Sequence, residues 1–517
     1  MAKRWWTLVV VSAATFMLLL DVTIVTVVLP QIQSGLHTSF ADVQWVVDAY
    51  SLSLASLLLI GGSLADRYGH RRLFVVGLSI FTVSSLLCGI STTPLALILS
   101  RSAQGIGGSV MFATSLALLS QSFTGKERGI AFGVWGAVTG IASGLGPIFG
   151  GLIVSNISWR GVFLINIPIG AVAIAVTLWR VAESPTRRKQ RLDWPGFVLF
   201  TVGLVALVYG LIRAGETEWG DTGVVMCLTL AAVFLSVFLV VERRVSNPLF
   251  DLSLFRTPTF VGGSIAALTM NGSLFAMLLY LVLYLQNGLG FSPLDASVRL
   301  LLVSLSSLVA ATISGRLSSR VPVRWLIGPG LFLVGVGLFL MAGNDGTSSW
   351  VHLVPGFVVA GIGSGIVNPP LASTAVGVVP PERSGIASGI NTTFRQVGMA
   401  TSIAVFGTIF MASLHRHIVR SLSSIPELAH RAPDIAAAVG QGDRARLNRS
   451  VPVQFQDRVA TVVHAAYAGA INDLLIVSGI VALVGAACAL ALIRSKDFLA
   501  SRPEQTDVES GERQSVK

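Results

Sequence analysis

Gly62-Ser63-Leu64-Ala65-Asp66-Arg67-Tyr68-Gly69-His70-Arg71-Arg72 is a short charged hairpin set between two apolar stretches, each long enough to cross a bilayer. It carries three arginines, and cationic loops resist translocation, so it marks the cytoplasmic side of a membrane chain. Gly62 and Gly69 permit a turn too tight for side chains. Asp66 and Arg67 place opposite charges where one helix ends and the next must be held at a fixed angle, so the segment, with Arg71 and Arg72, reads as a clasp. A weaker copy, Gly315-Arg316-Leu317-Ser318-Ser319-Arg320, keeps glycine, leucine and arginine at the same offsets. The echo points to duplication.

A chain of 517 residues with 53% hydrophobic and 12% charged residues is a polytopic membrane protein. Runs of roughly 18 or more apolar residues predict fourteen spans, at 6–28, 44–64, 73–91, 94–116, 129–153, 161–180, 195–212, 222–241, 259–286, 294–315, 324–342, 351–372, 386–411 and 470–493. With the N-terminus inside, most of the 36 Lys and Arg residues fall in cytoplasmic loops and tails, and the short outer loops hold only Arg160, Arg213 and Arg299. Topology therefore accounts for the net charge of +11, and no nucleic-acid partner is expected. Cys88, Cys227 and Cys488 all lie in spans without a CxxC pattern. His415 and His417 in the outer loop lack a defined third ligand, so no metal site is assigned. The first apolar run exceeds signal-peptide length and lacks an Ala-x-Ala site, so it reads as the first span.

Charged residues inside the spans are the candidates for function, because an acid at the centre of a span costs around 3 kcal/mol and usually faces a bundle interior or a cavity. Asp21 lies about 12 Å below the end of span 1, and Arg101 lies about 10 Å below the outer surface in span 4. Asp48, at about 6 Å, is shallower and could also snorkel to water. Asp21 is read either as a proton site tuned by Arg101 or as a packed structural acid. Gln104, Gly105 and Gly108 share the helical face of Arg101, which fits close packing. Trp45 and Tyr50 suit a membrane interface. Span 5 spaces Gly133, Gly136, Gly140 and Gly144 ahead of Gly146-Pro147-Ile148-Phe149-Gly150-Gly151, which reads as tight helix contact, with a hinge and seal as the functional addition. The basic stretch after Glu183 reads as a cytoplasmic linker, and the two spans after it look inserted.

A second repeat supports insertion. Glu127-Arg128-Gly129-Ile130-Ala131-Phe132-Gly133 before span 5 resembles Glu382-Arg383-Ser384-Gly385-Ile386-Ala387-Ser388-Gly389 before span 13. Both repeats are offset by eight spans, as six plus six helices with two between them require, and parallel repeats of this kind occur in transporters with two six-helix halves.

On these residues the chain resembles the major facilitator superfamily, specifically its fourteen-span drug:proton antiporters of bacterial multidrug efflux. The Gly62 to Arg72 hairpin resembles the signature loop of that family, Arg101 to Gly108 its helix 4 motif, and Gly133 to Gly151 its antiporter motif. Trp159 to Gly170, Asp193-Trp194-Pro195-Gly196, Tyr284-Leu285-Gln286 and Ser292-Pro293-Leu294 are typical of the fourteen-span branch. Ala142 stands where the antiporter motif usually has glycine, Thr26 where the span 1 motif often has asparagine, and Ser319 where the second hairpin would have Asp.

The resemblance implies an all-α fold of two six-helix halves plus two inserted helices. It makes Asp21 the leading proton site, Asp48 a second acid of the cavity and Arg101 the coupling residue. Asp66 and Arg67 would clasp the halves in an outward-open state. Asn271 and Arg395 are expected to face a substrate cavity, with polar helix-to-helix contact as the other reading. Expected domains are an N-terminal bundle (1–180), a linker with two inserted helices (181–256), a C-terminal bundle (257–493) with the outer loop 412–468, and a cytoplasmic tail (494–517) whose polar end after Arg502 is disordered.

The function expected is proton-driven export of a small lipophilic compound across the cytoplasmic membrane, with both termini inside. No Walker motif is present, so ATP is not the expected energy source. No cofactor is expected, the partners are protons, cargo and the lipid bilayer, and the chain is expected to act as a monomer. A dedicated exporter of one metabolite, antibiotic or siderophore is the alternative. A multispan membrane enzyme would need a convergent catalytic set, and the sequence offers none.

Overall fold

The computed structural model describes residues 3–498 apart from 124, 184–192, 218, 246–247, 249, 319, 380–383, 442–450 and 452. The basic linker, the Glu382-Arg383 repeat and the polar tail after Arg502 lie outside the described residues.

Apolar runs without water to hydrogen-bond their backbones must satisfy those groups internally, and the chain does so with helices. In order these are α1 (Lys3–Leu36), α2 (Phe40–Tyr68), α3 (His70–Ile90), α4 (Pro94–Ser122) and α5 (Gly125–Asn156). α6 (Gly161–Arg180), α7 (Trp194–Glu216), α8 (Thr222–Glu242) and α9 (Pro258–Gly288) follow. The remainder are α10 (Pro293–Leu317), α11 (Arg324–Leu340), α12 (Val354–Gly377), α13 (Ser384–Leu422), α14 (Ala432–Gln441) and α15 (Gln456–Leu492).

Among the described residues eleven helices are long and apolar enough to cross a membrane, namely α1, α3, α4, α6 to α10, α12, α13 and α15. The chain is thus a multi-pass membrane protein. α2, α5 and α11 pack among them; α11 has 17 residues, and α2 and α5 run through residues whose side-chain placement is not described.

α1 to α6 pack on one another, as do α9 to α13 with α15. The two groups meet through two broad contacts, α2 against α13 and α5 against α10. Those pairs are equivalent under the sequence repeat: the second helix of each group meets the fifth of the other. The duplication legible in the hairpins is therefore also the geometry of the seam. α7 and α8 pair as a hairpin, and α7 lies against both α2 and α13. α8 leaves Val225, Met226, Val233 and Val240 exposed, as a lipid-facing helix should.

The tight turn of the sequence hairpin is realised at Gly69, whose φ of 100° is a conformation that L side chains rarely adopt. At the opposite end, two helices outrun a bilayer. α13 has 39 residues and α15 has 37, which at 1.5 Å per residue is about 58 Å and about 55 Å against a hydrocarbon core of about 30 Å. Their extensions, with α14 between them, turn the expected outer loop 412–468 into a largely helical cap.

Candidate functional site: a buried charge network in the first bundle

Asp21 and Arg101 meet inside the first bundle, each 1% exposed, with Arg101 Nη1 2.5 Å from Asp21 Oδ2. An ion pair this deep is tolerable only if the remaining donors and acceptors are also satisfied. They are. Gln104 Nε2 donates to Asp21 Oδ1 (2.9 Å), as does Asn166 Nδ2 (3.1 Å). Arg101 also donates through Nη1 to Gln104 Oε1 (2.7 Å) and through Nε to the Val46 carbonyl (3.1 Å). Ser85 Oγ accepts from both Gln104 and Asn166 and donates to the Phe163 carbonyl. The guanidinium lies 4.2 Å from the ring centre of Tyr50, a cation–π contact shielded from water.

One carboxylate therefore gathers side chains or carbonyls from α1, α2, α3, α4 and α6. Removing its charge would strand Arg101 among groups arranged for an ion pair.

Of the residues singled out from sequence, Asp21, Arg101 and Gln104 come together. Asp48 does not join them: it is fully buried on α2, and neither of its carboxylate oxygens has a hydrogen-bond partner. Tyr50, expected at an interface, is instead 1% exposed beneath Arg101, because the cation–π contact draws its ring inward. Ser85 and Asn166 are members that sequence reasoning missed. Asn166 carried a signal as the amide inside an otherwise apolar span; Ser85, in a run of small hydroxyls, carried little.

The helix 5 motif meets both bundles. Any side chain at Gly146 would collide with Thr23, and one at Gly150 would come within 2.9 Å of Ile24, so α5 rides directly on the stretch of α1 that follows Asp21. Gly151 faces the other bundle, where a Cβ would lie 2.7 Å from the Cα of Leu294 on α10. Pro147 sits between these contacts inside α5. Gly133 and Gly140 lie outside the residues whose packing is described.

Gly62 and Asp66 also fall outside the residues whose side-chain surroundings are described. The rest of the hairpin is fastened to the end of α6. The Arg71 backbone N–H donates to Glu183 Oε1 (3.2 Å), its guanidinium reaches the Thr177 and Leu178 carbonyls, and Arg72 pairs with Glu183 at 3.5 Å. Gly69 lets Glu183 approach, since a Cβ there would stand 2.6 Å from its carboxylate. Glu183, at the head of the linker in sequence, belongs to this junction. Arg67 is exposed and lies over the ring of Tyr68.

In the second bundle Arg395 donates to Asn391 Oδ1 (3.4 Å) and Asn368 Oδ1 (3.1 Å), an amide pairing without a carboxylate. Asn271 donates to the Ala267 carbonyl of its own helix. It opens the first of two π-turns in α9, Asn271–Phe275 and Tyr284–Gly288, a distortion common at functional positions.

Between the bundles, hydrogen bonds gather toward the end opposite the hairpin. Gln31 Nε2 donates to Gln286 Oε1 (2.7 Å), and Gln286 Nε2 to the Val27 carbonyl (2.8 Å). Gln44 Nε2 donates to the Ile403 carbonyl (2.9 Å) and approaches Tyr280 Oη (3.3 Å). That end is closed.

Two repeated helical bundles that meet across a bonded seam, with a buried ion pair inside one of them, have the architecture of a membrane transporter. Residues 11–403 match the Major Facilitator Superfamily, and the chain belongs to that family. It is 34% identical over 486 residues to the multidrug resistance protein Stp of Mycobacterium tuberculosis, covering 92% of this chain and 90% of that one. It is 33% identical to the tetracenomycin C resistance and export protein of Streptomyces glaucescens, covering 94% and 91%. Among solved structures, a bacterial homologue of the human lysosomal transporter Spinster, inward-facing and unoccupied, superposes with a TM-score of 0.62 at 17% identity over 96% of this chain and 99% of that one.

Proposed function

We propose that the chain is a proton-coupled antiporter that exports drugs or other lipophilic organic compounds across the cytoplasmic membrane, with both termini in the cytoplasm. The observation that carries this reading is the Asp21–Arg101 pair and the three side-chain donors converging on one buried carboxylate. Protonating Asp21 cancels the charge that holds Arg101, which keeps the Val46 carbonyl and the Tyr50 face but loses its counter-ion. The strain passes along α1 to Thr23 and Ile24, through Gly146 and Gly150 into α5, and from Gly151 to Leu294 on the other bundle. The names of the relatives, multidrug resistance in one and resistance and export of a single antibiotic in the other, support export as the direction.

In this reading fourteen helices span, α2, α5 and α11 with the eleven already described, in domains 1–180, 181–256, 257–493 and 494–517. The closed end is the exterior, so the conformation faces inward. Asp66 and Arg67 clasp the bundles only after the opposite end opens, which suits the exposed position of Arg67 here. Asp48 is a second acid, and Asn271 and Arg395 face cargo. A proton moving inward through 100 mV gains about 2.3 kcal/mol from the voltage.

The test is proton release from proteoliposomes, wild type beside Asp21→Asn, on adding a panel of cationic dyes and neutral antibiotics. Flux in the wild type that the variant lacks supports coupling through Asp21. Absence of flux with every compound overturns broad export and leaves a dedicated exporter.

A further inference from the structure

The closed seam has a cavity beyond it. A space of about 730 Å³ lies between the end of α1, the second π-turn of α9 with the loop that follows, α14, and the first turns of α15. Both bundles and the helical cap therefore contribute walls, and the Gln31–Gln286 hydrogen bond joins two of them. The volume falls within the range of about 300–1,000 Å³ typical of small-molecule sites.

Its chemistry is selective. Among the described residues no Asp, Glu, Lys or Arg lines the cavity, whereas amides (Gln31, Asn287, Gln456), aromatic rings (Phe291, Tyr467) and His464 do. The side-chain amides of Asn287 and Gln456 each offer the cavity both a donor and an acceptor. Among the described lining residues a charged guest finds no counter-charge, while a flat neutral guest finds ring faces and amide groups.

We propose that this cavity is a binding site for uncharged aromatic compounds carrying hydroxyl or carbonyl groups, placed beyond the closed seam and covered by the cap. The proposal rests on the exporter reading for its role: cargo released when Gln31 and Gln286 part would pass through this space. The binding itself stands or falls separately.

The probe is 1,8-dihydroxyanthraquinone, uncharged at neutral pH, measured by equilibrium dialysis against the full-length protein in lipid nanodiscs, with anthraquinone-2-sulfonate as the charged comparator. Ala460 and His464 are exposed lining residues one helical turn apart, so Ala460→Trp and His464→Trp each place an indole in the cavity without disturbing the core. Variants that remain monodisperse on gel filtration are used, and either one suffices. Should neither fold, slowing by the anthraquinone of His464→Cys modification with a membrane-impermeant maleimide takes their place. The expected result is at least a tenfold loss of anthraquinone affinity in the filled variants and at least tenfold weaker binding of the sulfonate to the wild type. Unchanged anthraquinone affinity in a folded filled variant, no binding to the wild type, equal affinity for the sulfonate, or no protection of the cysteine overturns the proposal. Lost binding in Ala460→Trp together with absent proton flux in the wild type would keep the site and remove the broad-export reading.

Discussion

Asp21 on α1 and Arg101 on α4 are 80 residues apart in sequence and 2.5 Å apart in space, buried from water, and the Asp21 carboxylate accepts three side-chain hydrogen bonds. Breaking such a pair from one side leaves an uncompensated buried charge, at a cost of about 3–5 kcal/mol. Asp21→Ala is therefore expected to lower the thermal unfolding midpoint in detergent, and the double variant Asp21→Ala/Arg101→Leu to recover part of it. A double variant no more stable than Asp21→Ala would mean that the two residues act independently.

Arg101→Lys keeps the charge but not the fork. Lysine cannot donate at once to Asp21, Gln104 and the Val46 carbonyl or lie flat over Tyr50. Efflux of an active dye from inverted vesicles is expected to fall roughly tenfold or more, the loss of about 1.4 kcal/mol in one state, while expression is retained. Wild-type efflux in this variant would reduce Arg101 to a counter-charge.

Gly151→Val places a branched side chain against the Leu294 backbone where α5 meets α10. The folded protein should accumulate with the closed end forced apart and with transport lost. Gly315→Ala is the control, since a Cβ there meets nothing within 4 Å. Spin labels at Ser34 and Ser292 report the separation; an unchanged distance in Gly151→Val would show that the seam tolerates the bulk.

Gln286→Leu removes both side-chain hydrogen bonds that tie α9 to α1. The same spin-label pair should show a larger population of the longer distance, because each lost bond contributes about 0.5–1.5 kcal/mol.

Asp345, in the loop between α11 and α12, accepts from Thr347 Oγ1, the Thr347 backbone N–H and Ser348 Oγ, and these bonds hold its carboxyl down at about 2. A carboxyl depressed below its unfolded value of about 3.9 contributes order that is present above that value and lost as pH falls toward 2. Amide-exchange protection at Thr347, taken relative to the intrinsic exchange rate at each pH, should therefore fall between about pH 4 and pH 2 in the wild type and be insensitive to pH in Asp345→Ala. A pH-dependent fall that persists in the variant would place its origin elsewhere.

The hairpin around Gly69 and the Asp21–Arg101 pair were legible in the sequence for opposite reasons. The first is local, glycine and charge within eleven consecutive residues. The second is legible because charge in hydrocarbon is costly, so two such residues at similar depth imply each other. Ser85, Asn166 and Glu183 are ordinary residues in their own segments and gain their roles only where separate helices converge, which no local pattern encodes. Tyr50 carries the same chemistry at an interface as beneath a guanidinium, and only the tertiary position of Arg101 decides between them. Helical stretches on the outer surface were legible in 412–468, but their continuity with α13 and α15 was not, since an extension into water has no need of the long apolar run that marks a span.

The hairpin of α7 and α8 lies against α2 and α13, one of the two lines along which the bundles meet. A molecule dissolved in the lipid can slip sideways between paired bundles only where such a line is bare. With one flank covered by the extra pair and the α5–α10 flank not, the duplicated chain is symmetric in its fold but presents two different seams to the lipid.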